Sequence, residues 1–166
     1  MKTHRLFVLV TLLAAPLFAA DKPSASPPNP GFEKIKSLVG EWNGKMKEGG
    51  DVHTTYKIVA AGSAIEEHMS HADMVTMYHV DGKSLMLTHY CAAQNQPRMR
   101  AAVFKEGDRS LKFSFIDGTN MPDKKAMHMH NVAFAFRDAD HFTQEWTLYQ
   151  DGKATEHVVM EFERAK

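Results

Sequence analysis

Hydrophobic and polar residues alternate along most of this chain, which is the pattern of half-buried β-strands. Ten segments after residue 40 carry the alternation, and short turns rich in Asp and Gly separate most of them. The predicted strands cover residues 41–48, 52–60, 64–70, 74–80, 84–91, 98–105, 110–117, 127–136, 141–149 and 155–163. Consecutive hairpins of this number favour an all-β fold, an antiparallel up-and-down β-barrel of about ten strands, because closing the sheet removes its exposed edges. A β-sandwich is the competing architecture.

A short N-terminal helix is predicted before the first strand. Apolar residues repeat with helical spacing over residues 32–39, and Gly40 ends the pattern. We expect this helix to act as a lid or plug. The longest polar connection, residues 118–126, lies between two strands, and a loop longer than a hairpin turn often carries function.

The N-terminus has the composition of a secretory signal peptide, predicted over residues 1–20. A basic start precedes an apolar run, and Ala19 and Ala20 supply the small residues of a cleavage site. The run is too short for a membrane-spanning helix, which needs roughly 20 apolar residues. Residues 21–31 are rich in proline and serine and predict a disordered linker, which leaves residues 32–166 for the barrel domain. We therefore expect a periplasmic or secreted protein with no membrane insertion after signal cleavage.

Charge and cysteine content narrow the classes of partner. The sequence has 20 basic and 20 acidic residues, and loss of Lys2 and Arg5 with the signal peptide leaves 18 basic residues against 20 acidic ones. A near-neutral domain without a basic cluster predicts no nucleic-acid partner. Because Cys91 is the only cysteine, no intramolecular disulfide can form, and an apolar core must stabilise the domain. We expect a monomer or a weak dimer.

Three histidines on the apolar faces of predicted strands are the strongest chemical signal. Alternation places His89 on the same face as Leu87. It places His128 and His130 on the same face as Val132. An imidazole on an apolar face needs a hydrogen bond, a metal or a ligand, since burying it unpaired is costly. We predict that the three imidazoles face one enclosed space.

Three interpretations of these histidines stay open. In the preferred one they contact the polar group of a small, largely apolar ligand held in an internal cup. In the second, His89, His128 and His130 ligate a metal ion, or His89 is the axial ligand of a haem, and the protein is a metalloprotein with possible turnover. In the third they form structural hydrogen bonds in a filled interior.

Four further residues are candidates for contact with the ligand. Cys91 shares the face of His89, and Gln144 shares the face of Trp146. Arg98 would clamp a carboxylate if it pointed inward, and Asn120 lies in the long polar loop. No sequence motif of a hydrolase, zinc protease, P-loop or dinucleotide-binding enzyme is present, so we assign no catalytic residue and favour a binding protein over an enzyme.

The segment after the predicted helix resembles the start of calycin barrels. Lipocalins begin their first strand with Gly-x-Trp, and nitrobindin-like haem barrels begin with Gly-x-Trp-x-Gly-x-Gly. Gly40, Trp42 and Gly44 match this pattern, whereas Met46 stands at its last glycine. The predicted strand number is closer to the nitrobindin-like and fatty-acid-binding branches than to the lipocalins, which have eight strands.

A second similarity covers most of the remaining domain. Residues 87–100 and 117–121 resemble a family of secreted bacterial proteins of uncharacterised function. Together the two resemblances imply a calycin-like barrel that binds a small molecule. They imply no particular activity.

Overall fold

The computed structural model of the protein describes residues 28–166. The predicted signal peptide and residues 21–27 of the predicted linker lie outside this range. The described chain contains one α-helix and ten strands, and no helix in it is long and apolar enough to cross a bilayer. The elements are α1 Pro30–Lys36, β1 Gly40–Met46, β2 Asp51–Val59, β3 Ala64–Met69, β4 Met74–Asp81, β5 Ser84–Tyr90, β6 Gln96–Ala101, β7 Ser110–Thr119, β8 His128–Phe136, β9 His141–Gln150 and β10 Lys153–Arg164.

The ten strands form one closed antiparallel barrel, which confirms the predicted architecture and not the sandwich. Each strand pairs with its neighbours in sequence, and β1 pairs with β10 to close the sheet. In the closing register, Gly44 of β1 lies opposite Phe162 of β10 on one side and Val52 of β2 on the other. All ten predicted strands are present, and β6 shows the largest displacement because it begins at Gln96 and ends at Ala101.

The helix α1 covers the barrel end at which β1 begins. The side-chain oxygen of Asn29 accepts a hydrogen bond from the Phe32 amide at 3.0 Å and caps the helix. Phe32 and Ile35 are buried against the barrel core. The helix starts earlier than predicted because Asn29 caps it and Pro30 is its first residue. It also ends earlier, because the amides of Leu38 and Val39 bond to carbonyls three residues back and tighten the last turn.

Two side chains join α1 to the sheet. Trp42 Nε1 donates a hydrogen bond to the Leu38 carbonyl at 2.7 Å, and the Arg164 guanidinium lies 4.1 Å above the Trp42 ring. Arg164 also donates to the carbonyls of Ser37 and Val39, both at 3.1 Å. The helix therefore plugs this end, and we call it the helix end.

Side chains from all parts of the sheet fill the barrel interior. The large aromatic residues of the buried core are Phe32, Trp42, Tyr56, Tyr78, Phe113, Phe134, Phe136, Phe142, Trp146 and Phe162. Side chains of opposite strands meet across the barrel: the rings of His89 and Trp146 are 4.6 Å apart, and Gln144 Nε2 donates to the Tyr56 hydroxyl at 2.7 Å. The interior between the two ends is thus a packed core.

Candidate ligand site at the open end of the barrel

The barrel end opposite α1 has no α-helix across it in the described residues, only a single 3-10 turn at His71–Asp73 on its rim, and we call it the open end. Connections between strands form its rim, at residues 47–50, 70–73, 91–95, 120–127 and 151–152. The histidines predicted from the sequence lie here, since His89 is near the end of β5 and His128 and His130 begin β8. The candidate site is therefore the group of side chains at this end of the barrel.

His89 points into the barrel, as alternation predicted, and is only 2% exposed. Its Nδ1 and the hydroxyl of Thr76 on β4 share a hydrogen bond of 2.9 Å. The indole of Trp146 covers its ring. Its Nε2 is buried and has no hydrogen-bond partner among the described residues.

Burial keeps the His89 imidazole neutral. Because the charged form is poorly solvated in this position, the pKa of His89 is lowered from 6.5 to about 4. In a neutral imidazole one ring nitrogen carries the proton and the other accepts. Whichever tautomer the Thr76 bond selects, Nε2 is left as an unpaired polar atom in an apolar environment.

The loop that follows β5 contacts the long loop before β8. Asn95 is 4% exposed, and its Nδ2 donates to the Met127 carbonyl at 2.7 Å, while its Oδ1 is buried without a described partner. Asn120 donates to the Gln94 carbonyl. Cys91 is half-buried, and burial raises the pKa of its thiol, which favours the protonated form. Cys91 and Asn120 thus lie on the rim, where the sequence predicted ligand contacts.

His128 and His130 form a second group at the open end. His128 is fully buried, and its Nδ1 lies 2.7 Å from the Ala126 carbonyl oxygen. Its Nε2 lies 2.9 Å from Nδ1 of His130. The half-buried His130 ring stacks on Tyr149 with centroids 3.7 Å apart and an angle of 13° between the planes. Phe115 contacts both imidazoles, at 4.2 and 5.1 Å between centroids.

A β-bulge shapes this histidine pair. The pairing of β8 with β9 shifts between Met129 and Asn131, which leaves His130 opposite no partner residue. Strict alternation predicted that Met129 faces away from the core, whereas it packs against the core. The extra residue changes the alternation of side chains at the start of β8 and brings the rings of His128 and His130 together.

The structure does not gather the three histidines around one point. Within residues 28–166, no group of three or more His, Cys, Asp or Glu side chains is placed to hold a metal ion. His89 belongs to one group with Thr76 and Trp146, and the His128–His130 pair belongs to another with Phe115 and Tyr149.

Arg98 lies on the outer face of the barrel. Its guanidinium makes two hydrogen bonds to the Asp117 carboxylate, with Nε and Nη2 at 2.6 and 2.5 Å from the two oxygens. Half of its side chain is exposed. Arg98 therefore neutralises a neighbouring carboxylate on the surface, and the inward clamp considered from the sequence is not formed.

Gln144 lies deeper, in a buried polar network around Glu67. Its Nε2 donates to Glu67 Oε1 at 2.7 Å, and Trp146 Nε1 donates to its Oε1 at 3.0 Å. Tyr78 donates to Glu67 Oε2 at 2.5 Å. Burial raises the pKa of Glu67, and the hydrogen bonds from Tyr78, Gln144 and Tyr56 act in the opposite direction.

Sequence reasoning missed Glu67, although the signal for it was present. In β3 the residue alternates with Ile65 and Met69, so it stands on the apolar face just as His89 does in β5. Its hydrogen bonds occupy both carboxylate oxygens. The network therefore holds β2, β3, β4 and β9 together across the interior.

Methionines supply much of the apolar surface near the open end. Met69 is buried, and Met46, Met74 and Met129 are partly buried against the core. All four lie at strand ends next to the rim. Unbranched thioether side chains change rotamer easily and fit irregular partners, so this end is more adaptable than the aromatic core below it.

Comparisons with known proteins give a structural likeness and no family. No protein-family profile and no curated protein matches the chain. Among solved structures, a protein of unknown function from the DUF3598 family of Nostoc punctiforme matches with a TM-score of 0.45 and 14% sequence identity. The match covers 88% of this chain and 53% of that protein, so the chain spans about half its length.

Proposed function

We propose that the protein binds a small, largely apolar ligand at the open end of the barrel, with His89 as a polar contact. The observation that carries this proposal is the buried Nε2 of a neutral imidazole with no partner. Leaving a buried polar atom unpaired costs about 1–3 kcal/mol, and native proteins rarely keep one without a reason. A polar group of a ligand, placed at Nε2, removes this cost.

The surroundings of His89 fit an apolar ligand body. The Trp146 indole lies beside the imidazole, and the methionines of the open end are the side chains best able to move aside. The aromatic core and α1 fill the rest of the barrel, so the ligand occupies this end only. The calycin-like resemblance and the predicted signal peptide agree with an exported carrier or sensor of a small molecule.

The metal and haem alternatives receive no support from the arrangement of the described residues. The three histidines divide into two groups, and each ring nitrogen of the buried His128 already faces a hydrogen-bond partner. We therefore favour an organic ligand over a cofactor.

Titration with N-phenylnaphthylamine, a neutral apolar fluorophore, tests the proposal. Energy transfer from Trp146 to the dye reports binding to the barrel, the effect of substituting His89 assigns the site to that histidine, and a Trp42→Phe background removes the other tryptophan. We expect His89→Ala to weaken binding by about tenfold, which corresponds to one lost hydrogen bond of roughly 1.4 kcal/mol.

Two control variants separate binding from folding. His157→Ala changes an exposed histidine of β10, and His141→Ala changes a histidine at the helix end. Both should retain dye affinity. Dye affinity unchanged in a folded His89→Ala variant would refute the proposal, and so would the absence of transfer from Trp146. Native mass spectrometry of protein purified from its own host then weighs any ligand that stays bound.

A further inference from the structure

The hydrogen bonds of His128 fix the position of its ring proton. A carbonyl oxygen only accepts, so the 2.7 Å contact with Ala126 requires the proton on Nδ1 of His128. With a single ring proton, Nε2 of His128 is a lone pair. A second proton would create a buried cation, and the hydrogen-bond partners of this ring among the described residues are the Ala126 carbonyl and His130, neither of which is an anion.

The proton of His130 follows from that of His128. The Nε2 lone pair of His128 accepts from Nδ1 of His130 at 2.9 Å, so Nδ1 of His130 carries the hydrogen. Desolvation and the neighbouring His128 both lower the pKa of His130, which favours its neutral form. In the neutral form Nε2 of His130 is therefore an acceptor with its lone pair free.

This free lone pair is available at the open end. Tyr149 and Phe115 stack on the His130 ring, so the edge of the ring is what it offers to a ligand. Nε2 of His130 makes no hydrogen bond to the described residues and is not among their buried, unpaired atoms. It is thus an oriented acceptor that solvent or a ligand can reach.

Asn95 provides a second acceptor on the same rim. Its Nδ2 donates a hydrogen bond to the Met127 carbonyl oxygen, which can only accept, and this fixes the orientation of the side-chain amide. Oδ1 is therefore the atom that has no partner among the described residues. Arg98 faces outward and is paired with Asp117, and the rim lysines Lys124 and Lys125 are exposed to solvent and not buried beside these acceptors. The unpaired polar atoms of fixed protonation at this end therefore accept hydrogen bonds.

We propose that the open end selects neutral ligands with an O–H or N–H donor, as in phenols, and rejects carboxylates, with His130 Nε2 as the selecting acceptor. This inference rests on the proposed function and adds the chemical class of the ligand. A carboxylate brings acceptor oxygens toward the lone pair of His130 Nε2, and two lone pairs repel each other unless His130 is protonated. A phenol donates to His130 and places its ring among aromatic side chains.

The matched pair para-ethylphenol and para-ethylbenzoate tests the selection by calorimetric titration of the full-length protein. At about pH 8 the phenol is neutral and the benzoate is ionised. We expect the phenol to bind at least about tenfold more tightly. His130→Phe keeps a stacked ring but removes the acceptor and should abolish the preference, whereas His157→Phe at an exposed position of β10 should keep it. The long-range proton–nitrogen spectrum of isotope-labelled histidine should show the proton on Nδ1 of His130.

The outcomes separate this inference from the function on which it rests. Equal affinity for the two ligands, or a preference that survives in His130→Phe, overturns the selection while dye binding at His89 leaves the proposed function standing. A proton on Nε2 of His130 overturns the selection directly. Failure of both ligands and of the dye overturns both proposals.

Discussion

His89 couples the stability of the barrel to pH at the scale of a single residue. Its folded-state pKa of about 4 lies below its ordinary value of 6.5. The unfolded chain therefore binds a proton between these values that the folded chain does not, and stability falls as the pH decreases through this window. At 1.36 kcal/mol per unit, the loss attributable to His89 is about 3 kcal/mol.

Urea unfolding of the wild type and His89→Asn from about pH 7.5 to about pH 4 measures this loss. Asn keeps an amide near Nδ1 for Thr76 and does not titrate in this range. The advantage of the wild type over the variant should shrink by about 3 kcal/mol on acidification. The same substitution at the exposed His71 is the control. An advantage that is constant with pH would show that the imidazole at position 89 is not buried in its neutral form.

Single residues also show where sequence patterns suffice. Alternation was enough to place His89 inside the barrel, and the same rule would have placed Glu67 there. Gly44 matched a family pattern, but its physical reason appeared only in the fold, since a Cβ at this position would lie 2.6 Å from the Phe162 ring. That contact joins the first and last strands, and no local pattern predicts such a distance.

At the scale of elements, turn chemistry and alternation predicted every strand, whereas the bulge in β8 could not be predicted from one strand. An extra residue becomes visible only when a strand is paired with its neighbour, here between Met129 and Asn131 against β9. For this reason the predicted trio of histidines became one buried His89 and a separate bonded pair. The carbonyl oxygen of Ala126 fixes which ring nitrogen of His128 carries the proton, and composition does not reveal such a backbone contact.

At the helix end, Arg164 contacts the segment after α1, the β8–β9 turn and Trp42 of β1. It donates to carbonyls after α1 and in the β8–β9 turn, contacts Asp140 and stacks on Trp42. We expect Arg164→Leu to lower the free energy of unfolding by about 1–3 kcal/mol.

Arg164→Lys should recover only part of this loss, because an ammonium group lacks the planar fork that reaches several carbonyls at once. Chemical denaturation measures the change, and Arg137→Leu at a largely exposed neighbouring position is the control. Wild-type stability in Arg164→Lys would mean that the positive charge alone, without the planar guanidinium, stabilises the helix end.

At the scale of the whole molecule, closure of the sheet leaves one continuous core between two chemically different ends. The meander of hairpins predicted closure, but it did not predict that side chains of opposite strands would meet and fill the interior. The bonds from Gln144 on β9 to Tyr56 on β2 and Glu67 on β3 cross the barrel and link strands that are not neighbours in the sheet. The enclosed cup expected from the sequence is therefore confined, in our proposal, to the open end.

A single core predicts that both ends unfold together. Trp42 reports on the helix end and Trp146 on the open end, and no other tryptophan is present in the sequence. In Trp146→Phe and in Trp42→Phe, the fluorescence of the remaining indole and the far-ultraviolet circular dichroism should give the same urea midpoint, because single domains of this size usually unfold in one step.

Both variants should be less stable than the wild type by about 1–3 kcal/mol, since each loses a buried hydrogen bond. A fluorescence midpoint below the dichroism midpoint in Trp146→Phe alone would show that α1 and its contacts open before the barrel does, and the plug would then have to be treated as a separate cooperative unit.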